Sequence, residues 1–306
     1  MDDRLATHFA HLFIRDPIVI FSEDLKELDL NQTDHFENLQ STNWQHMRFK
    51  PPPADNSIGW RVEFRPMEIQ VTDFENAAFS VFLVLITRAI LSFDLNFYIP
   101  IARVDENMET AHARDAVLER GFHFRRNPFH ARPPRGSGSA AASGTNSPSA
   151  VPSRPPTPTG PVEDEYRLMS INEIINGTSY ARSTTSSSAA ATATATEEDE
   201  FPGLIPLVEG YLDSVNVDVA TRCELSTYLD LIRKRASGEL WTAARWIRHF
   251  VDRHPKYEHD SVVPDEVSNE LVGAVISIGE REQNDLGFGG LDVPDLGRLL
   301  GGFRGA

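Results

Sequence analysis

Two stretches of extreme composition limit what this chain can fold into. Of the 31 residues from 131 to 161, 26 are Pro, Ser, Gly, Ala or Thr. Residues 179–196 (SYARSTTSSSAAATATAT) are similarly biased and contain no acidic residue. Segments of this kind bury too little apolar surface to offset the entropy lost on ordering. We therefore expect both to be disordered inserts, so a compact fold has to come from the residues around them.

The rest of the chain divides into two main blocks, residues 1–130 and 197–283. Between the two inserts, residues 162–178 carry leucine and isoleucine at helical spacing, which predicts a short helical island. Residues 284–306 contain seven glycines in 23 positions and are expected to form a flexible tail.

The first block contains one clear strand pattern. Residues 58–71 alternate apolar and charged side chains, with Trp60, Val62 and Phe64 on one side. This period of two predicts a half-buried strand that ends near Pro66. Helices are expected over residues 3–13 and 108–119, and a long apolar helix begins at a cap provided by Thr72 or Asp73.

The second block is helical throughout. Residues 219–235 and 239–254 each have an apolar stripe at helical spacing, and Gly238 separates them. This pattern predicts two helices joined by a short turn.

Charge and composition exclude several classes of protein. The net charge is −16, which argues against a nucleic-acid-binding module. The one cysteine, Cys223, excludes a disulfide framework, and we expect it to be at least half buried. The longest apolar run, between Glu75 and Arg88, has twelve residues and is shorter than a membrane span, and the first residues do not have the pattern of a signal peptide. A protein of the cytoplasm that does not bind membranes is expected.

The charged side of the predicted strand is the strongest candidate for a functional site. Arg61, Glu63 and Arg65 share one face. Such a face is often a surface ladder of salt bridges. The alternative is a nucleotide-phosphate site, in which the carboxylate ligates Mg²⁺ and the guanidinium groups bind phosphate oxygens. Residues 44–68 carry a net charge of +1 within an acidic chain, which favours an anionic ligand at this place.

The segments around this strand resemble the catalytic subunit of the eukaryotic glutamate–cysteine ligase family, with inserts of fungal type. The resemblance covers nearly all of the chain outside the inserts and the tail. It is carried by residues 41–53 (STNWQHMRFKPPP), 59–68 (GWRVEFRPME), 72–76 (TDFEN), 105–108 (DENM), 114–118 (RDAVL), 168–171 (LMSI), 174–177 (IING), 201–206 (FPGLIP) and 235–240 (RASGEL).

The resemblance implies an α+β protein, the C-terminal part of a glutamine-synthetase-like fold with a partial antiparallel sheet and long helices. It implies ATP-dependent joining of L-glutamate to L-cysteine through a γ-glutamyl phosphate, which is the first step of glutathione biosynthesis. The cofactors that it implies are ATP and Mg²⁺, and a modifier subunit is a possible partner.

The resemblance also assigns roles to individual residues. Glu63 is expected to be a Mg²⁺ ligand. Arg65 is expected to contact phosphate and to be the catalytic residue that stabilises the phosphoryl-transfer transition state. Arg61, Arg48 and Lys50 are weaker candidates for phosphate contacts.

Two readings remain open for the chain as a whole. In the family most metal ligands come from earlier strands, and no glutamate-rich pair of strands precedes Trp44. The chain is therefore expected to be the C-terminal half of a ligase that is inactive alone. The alternative is a non-catalytic regulatory polypeptide derived from the same half.

Overall fold

A computed structural model describes the fold. It describes residues 3–15, 22–23, 47–50, 52–53, 55–67, 69–129, 165–185, 201–284 and 295–301. The chain forms two compact units, Met1–Ile69 with Pro100–Asp105, and Gln70–Ile99 with Glu106–Ala306. The predicted insert at residues 131–161 and the later part of the second insert lie outside the described residues.

The described residues form helices and two separate antiparallel strand pairs. The strands are β1 Met47–Lys50, β2 Arg61–Phe64, β3 Gly121–Arg125 and β4 Tyr166–Ser170, paired as β1–β2 and β3–β4. The helices are α1 Asp3–Arg15, α2 Asp73–Phe93, α3 Ile101–Ala111, α4 Ala116–Glu119, α5 Ile171–Asn176, α6 Thr178–Thr185, α7 Leu204–Ser214, α8 Val219–Ser237, α9 Ala243–Arg253, α10 Asp265–Asn284 and α11 Leu296–Leu300. This mixture confirms the α+β expectation in its coarse form, whereas the glutamine-synthetase-like fold remains a prediction.

Helix α2 forms the centre of the second unit. Thr72 caps its first turn, and Glu75 completes a capping box by accepting from the backbone N–H of Thr72 at 3.0 Å. One face of the helix, including Phe82 and Ile86, is buried in a cluster shared with α7 and α8. At 21 residues and a mean hydropathy of 1.8, α2 is long and apolar enough to cross a membrane. The apolar run that was expected to be shorter than a membrane span is thus part of a longer apolar helix, and 22% of its most apolar window is buried. Core helices of soluble proteins meet the same criterion, so a single helix of this kind is weak evidence for a membrane span.

Two further clusters complete the core of this unit. The first lies beside β3 and β4, where Phe122, Met169 and Phe201 are buried together. The second lies around Trp246 on α9, where Leu299 and Leu300 of α11 are buried with Ile278 of α10.

The predicted helices of the second block are confirmed, with small shifts at their ends. Helix α8 ends at Gly238, which adopts a left-handed conformation with φ of 80°. Helix α9 begins at Ala243 rather than at residue 239, because Thr242 caps its first turn through the N–H of Arg245.

Several local predictions were wrong. The expected helix over residues 108–119 is two helices, α3 and α4, with a left-handed Asp115 (φ 50°) just before α4. In the described part of the predicted helical island, residues 165–178, strand β4 comes first, and helix α5 begins after Ser170, because Ser170 and Glu173 form a capping box there. The spacing of Leu168 matched a helix by coincidence, since it lies in β4 and is exposed.

The second predicted insert, residues 179–196, and the predicted tail, residues 284–306, are each more ordered at one place than expected. The start of this second insert was predicted to be disordered, but it is helical up to Thr185, and Ala181 is buried. Within the predicted flexible tail, α11 packs into the core through Leu299 and Leu300. In both places one or two apolar side chains fill a core site, which a compositional average does not register.

Candidate functional site

The candidate site lies on a two-stranded ribbon formed by β1 and β2. The register places Arg48 opposite Glu63 and Lys50 opposite Arg61. Residues that face each other across an antiparallel pair belong to the same side of the ribbon. The register therefore places four of the predicted positions on one side of the ribbon, and Arg65 follows directly after β2.

Ten residues, 51–60, join the two strands, and residues 52–53 and 55–60 of this loop are described. The carboxylate of Asp55 accepts hydrogen bonds from the backbone N–H and the hydroxyl of Ser57, at 3.1 and 2.8 Å. These bonds lower the pKa of Asp55. Asn56 adopts a left-handed conformation with φ of 51°, which asparagine tolerates in turns. The loop sequence thus returns the chain so that β2 can pair with β1.

Glu63 is engaged by two cations. Its carboxylate forms one ion pair with the ammonium group of Lys50 and another with Nη2 of Arg65, the latter at 2.6 Å. The hydrogen bond from Lys50, and then the charge of Arg65, lower the pKa of Glu63. The three side chains are each about one-third exposed (35%, 32% and 36%), so they remain accessible to a ligand.

The charge of this group suits an anion better than a cation. It contains four basic residues and one carboxylate, and this gives a net charge of +3 in a chain of −16. Guanidinium and ammonium groups in this arrangement can bind several phosphate oxygens.

The described residues do not form a complete magnesium site. Mg²⁺ requires octahedral oxygen coordination, usually with one or two carboxylates, several waters and substrate phosphates. Glu63 offers one carboxylate, which the two cations already neutralise. Within the described residues, no group of three or more His, Cys, Asp and Glu side chains could hold a metal ion. Glu63 could therefore supply one ligand to a metal that other groups must also bind.

The prediction that β2 is half buried was wrong. Trp60, Val62 and Phe64 are 56%, 50% and 50% exposed, respectively, and Glu63 on the opposite side is less exposed than they are. The ribbon has two strands, and the described residues leave about half of each of these apolar side chains exposed. The alternation in the sequence was interpreted correctly as a strand, but it does not reveal what packs on that strand.

Sequence reasoning also missed strand β1. Arg48 and Lys50 were expected to be near the site only because they are close in sequence. Residues 47–50 (MRFK) alternate apolar and basic side chains, as β2 does, and the intervening loop has turn-forming residues. Together these features could have predicted a hairpin.

Cys223, which was expected to be at least half buried, is exposed on α8. Its neighbour Arg222 is also exposed and forms an ion pair with Asp213 of α7. The prediction failed because the side of α8 that is packed in the core carries Leu229 and Ile232 instead.

The sequence comparisons identify similar proteins. Residues 1–278 match the family described as glutamate–cysteine ligase. The chain is 74% identical to a glutamate–cysteine ligase of Neurospora crassa, over 99% of this chain and 42% of that protein. It is 50% identical to a glutamate–cysteine ligase catalytic subunit of Rattus norvegicus, over 89% of this chain and 38% of that protein. It is 45% identical to a glutamate–cysteine ligase of Schizosaccharomyces pombe, over 93% of this chain and 36% of that protein. The chain spans about two fifths of the length of these relatives.

Proposed function

This chain belongs to the glutamate–cysteine ligase family, and we propose that it forms part of an ATP-dependent ligase that joins L-glutamate to L-cysteine. The observation that carries this proposal is the basic side of the β1–β2 ribbon, where Arg48, Lys50 and Arg61 lie opposite or beside Glu63 in the register, and Arg65 pairs with Glu63. A ligase that activates a carboxylate with ATP needs such a concentration of positive charge.

The proposed reaction has two steps. An oxygen of the glutamate γ-carboxylate attacks the γ-phosphorus of ATP, and the bond to the β,γ-bridging oxygen breaks to release ADP. The amine of cysteine then attacks the carbonyl carbon of the acyl phosphate, and the carbon–oxygen bond breaks to release phosphate as the amine loses a proton. Negative charge accumulates on the phosphoryl oxygens in the first step, so fixed cations lower its barrier.

The residues of the ribbon have separate roles in this proposal. Arg65 contacts the transferred phosphoryl group and stabilises the charge that develops on it. Arg61, Arg48 and Lys50 bind phosphate oxygens of ATP. Glu63 would provide one carboxylate ligand to Mg²⁺, which would supply positive charge to the phosphate oxygens, and Lys50 and Arg65 would then turn towards the nucleotide.

The names of the mammalian relatives support one further part of the proposal. They are called catalytic subunits, which favours a catalytic polypeptide over a purely regulatory one and suggests a modifier subunit as partner. A cytoplasmic location remains a prediction.

Binding of ATP tests the proposal directly. We expect equilibrium dialysis of this chain with ATP and Mg²⁺ to show binding that Arg65→Gln weakens about tenfold, since a charge-assisted hydrogen bond contributes roughly 1.5–3 kcal/mol. Arg222→Gln is the matched control, because Arg222 is also an exposed arginine in an ion pair, with Asp213, but lies outside the ribbon. Equal affinities of the two variants would refute the proposed role of Arg65.

Turnover provides a second test. With L-glutamate, L-cysteine, ATP and Mg²⁺, we expect this chain alone to release no ADP, because its described residues offer one carboxylate where the metal needs further ligands. Robust ADP release would contradict this expectation and show that this chain alone is sufficient for turnover.

A further inference from the structure

A cavity of about 320 Å³ lies between α7 and α8, within the second unit and separate from the ribbon. Glu209 of α7 lines one side of it. The other side is formed by α8, whose lining residues follow helical spacing on one face. These residues of α8 are Ser226, Thr227, Leu229, Asp230 and Arg233.

Opposite charges lie next to each other in this cavity. Nη2 of Arg233 donates to Oε1 of Glu209 at 2.9 Å, which uses one of the five N–H donors of the guanidinium group. Asp230 forms an ion pair at 2.7 Å with Lys234, one helical turn away on α8. The side chains of Arg233, Glu209 and Asp230 are 30%, 45% and 39% exposed, so a ligand can reach all three.

The remaining lining groups add acceptors and an apolar wall. The hydroxyls of Ser226 and Thr227 donate to the backbone carbonyls of Cys223 and Glu224, each at 2.7 Å. Their protons are thus used within the helix, and their oxygen lone pairs can accept a further hydrogen bond. Leu229 is almost fully buried and closes the cavity on the side of the core.

We propose that this cavity binds a zwitterionic α-amino acid. The α-carboxylate binds the free N–H donors of the Arg233 guanidinium, whose planar geometry matches a carboxylate. The α-ammonium binds Glu209 and Asp230, with the hydroxyl oxygens of α8 as additional acceptors. A ligand with both groups on one carbon fits the volume and satisfies the two signs of charge at once.

The charge balance of the cavity narrows the class of amino acid. Two carboxylates and one guanidinium line the cavity, and the ammonium group of Lys234 pairs with Asp230 beside it, so the positive and negative charges balance. Amino acids without net charge are therefore favoured over acidic ones, and inorganic anions are disfavoured. Because the charged groups are partly hydrated, we expect dissociation constants on the order of 1 mM.

The test uses the methyl groups of Leu229, which line the cavity, as reporters. In a chain with ¹³C-labelled leucine methyls, titration with L-serine should shift the Leu229 signals with saturation. N-acetyl-L-serine lacks the ammonium and resembles a peptide C-terminus, whereas L-serine methyl ester lacks the carboxylate and resembles an N-terminus. Both should bind at least several-fold more weakly than L-serine, and L-glutamate should also bind more weakly.

Three variants separate recognition of the ligand from changes in folding. Arg233→Gln should weaken L-serine binding about tenfold, through the lost carboxylate contact. Asp230→Asn should weaken it less, because Glu209 remains. Arg248→Gln, which removes an arginine that lies 3.6 Å from Asp115 and does not line the cavity, should leave binding unchanged.

Three results would overturn the proposal. They are the absence of a saturable shift up to about 20 mM L-serine, equal binding of L-serine and either blocked derivative, and unchanged binding by both Arg233→Gln and Asp230→Asn. None of these results depends on ATP, so the failure of this proposal and the failure of the ligase proposal are distinguishable.

Discussion

The β1–β2 ribbon and the helical core around α2 contain the same kind of charge pair in different environments. In the ribbon, Glu63 pairs with Arg65, and both side chains are about one-third exposed. In the core, Glu75 pairs with Arg235, and these side chains are 0% and 7% exposed. The exposed pair can exchange its partners for a ligand, whereas the buried pair can only hold the structure together.

The buried pair joins three parts of the second unit. Glu75 belongs to the first turn of α2, and Arg235 belongs to the last turn of α8. Nη2 of Arg235 also donates to the carbonyl of Leu299 in α11 at 3.2 Å. Burial lowers the pKa of Arg235, and the charge of Glu75 opposes this shift. The pair therefore fixes α2, α8 and α11 relative to one another.

The largest expected difference between the two regions concerns these carboxylates. We predict that Glu75→Ala lowers the free energy of unfolding by about 3–5 kcal/mol, because it leaves the buried Arg235 without its counter-charge. Glu63→Ala, its matched control on the ribbon, should change stability far less, because solvent screens its ion pairs. Urea denaturation of the two variants measures both values, and similar losses would show that the two pairs are equivalent.

A pair of phenylalanines tests the same contrast for apolar side chains. Phe82 of α2 is 8% exposed and lies in the main cluster, whereas Phe64 of β2 is 50% exposed. Phe82→Ala should cost about 3–5 kcal/mol and Phe64→Ala less than about 1 kcal/mol, because only the first opens a cavity. If thermal unfolding showed that Phe64→Ala destabilises the protein as much as Phe82→Ala, the apolar side of the ribbon would have to be buried in solution, contrary to its exposure in the structure.

A close contact between two glycines predicts an intermediate effect within the core region. Gly177 and Gly203 have φ of 95° and 97°, and a Cβ atom on Gly203 would overlap the backbone of Gly177. We expect Gly203→Ala to destabilise the chain by about 1–3 kcal/mol or more. Gly210 within α7 has open space around it, so Gly210→Ala should stabilise by roughly 0.5–1 kcal/mol. If Gly203→Ala and Gly210→Ala had equal melting temperatures, the close contact between Gly203 and Gly177 would be contradicted.

The sequence predicts more of the helical core than of the ribbon, and the reasons are physical. The cap of α2 and the apolar stripes of α2, α8 and α9 are local signals, and they predicted those helices to within a few residues. The Glu75–Arg235 pair joins positions 160 residues apart, and no local pattern reveals it. The residues of the candidate site could be named from the sequence, because the alternation of apolar and charged side chains along β2 is a local pattern. Strand β1 and the exposure of Trp60 depend on pairing and packing and were missed.

The smallest expected effect is a shift in titration on the ribbon. Lys50 and Arg65 lower the pKa of Glu63 from its ordinary value of 4.5. Because the folded pKa is the lower one, the stabilisation is present above the unfolded pKa and is lost as the pH falls through the folded pKa. Lys50→Gln should raise the pKa of Glu63, as followed by the ¹³C shift of its carboxyl carbon. An unchanged pKa would show that Lys50 does not pair with Glu63 in solution.

The central claim, that the basic side of the ribbon is where this ligase-family chain binds the triphosphate of ATP, is tested most directly by hydrogen–deuterium exchange. Comparison of the chain with and without ATP and Mg²⁺ should show slower exchange in β1 and β2, with little change in α7–α10. Slower exchange that is confined to the helices, with the ribbon unaffected, would contradict the claim.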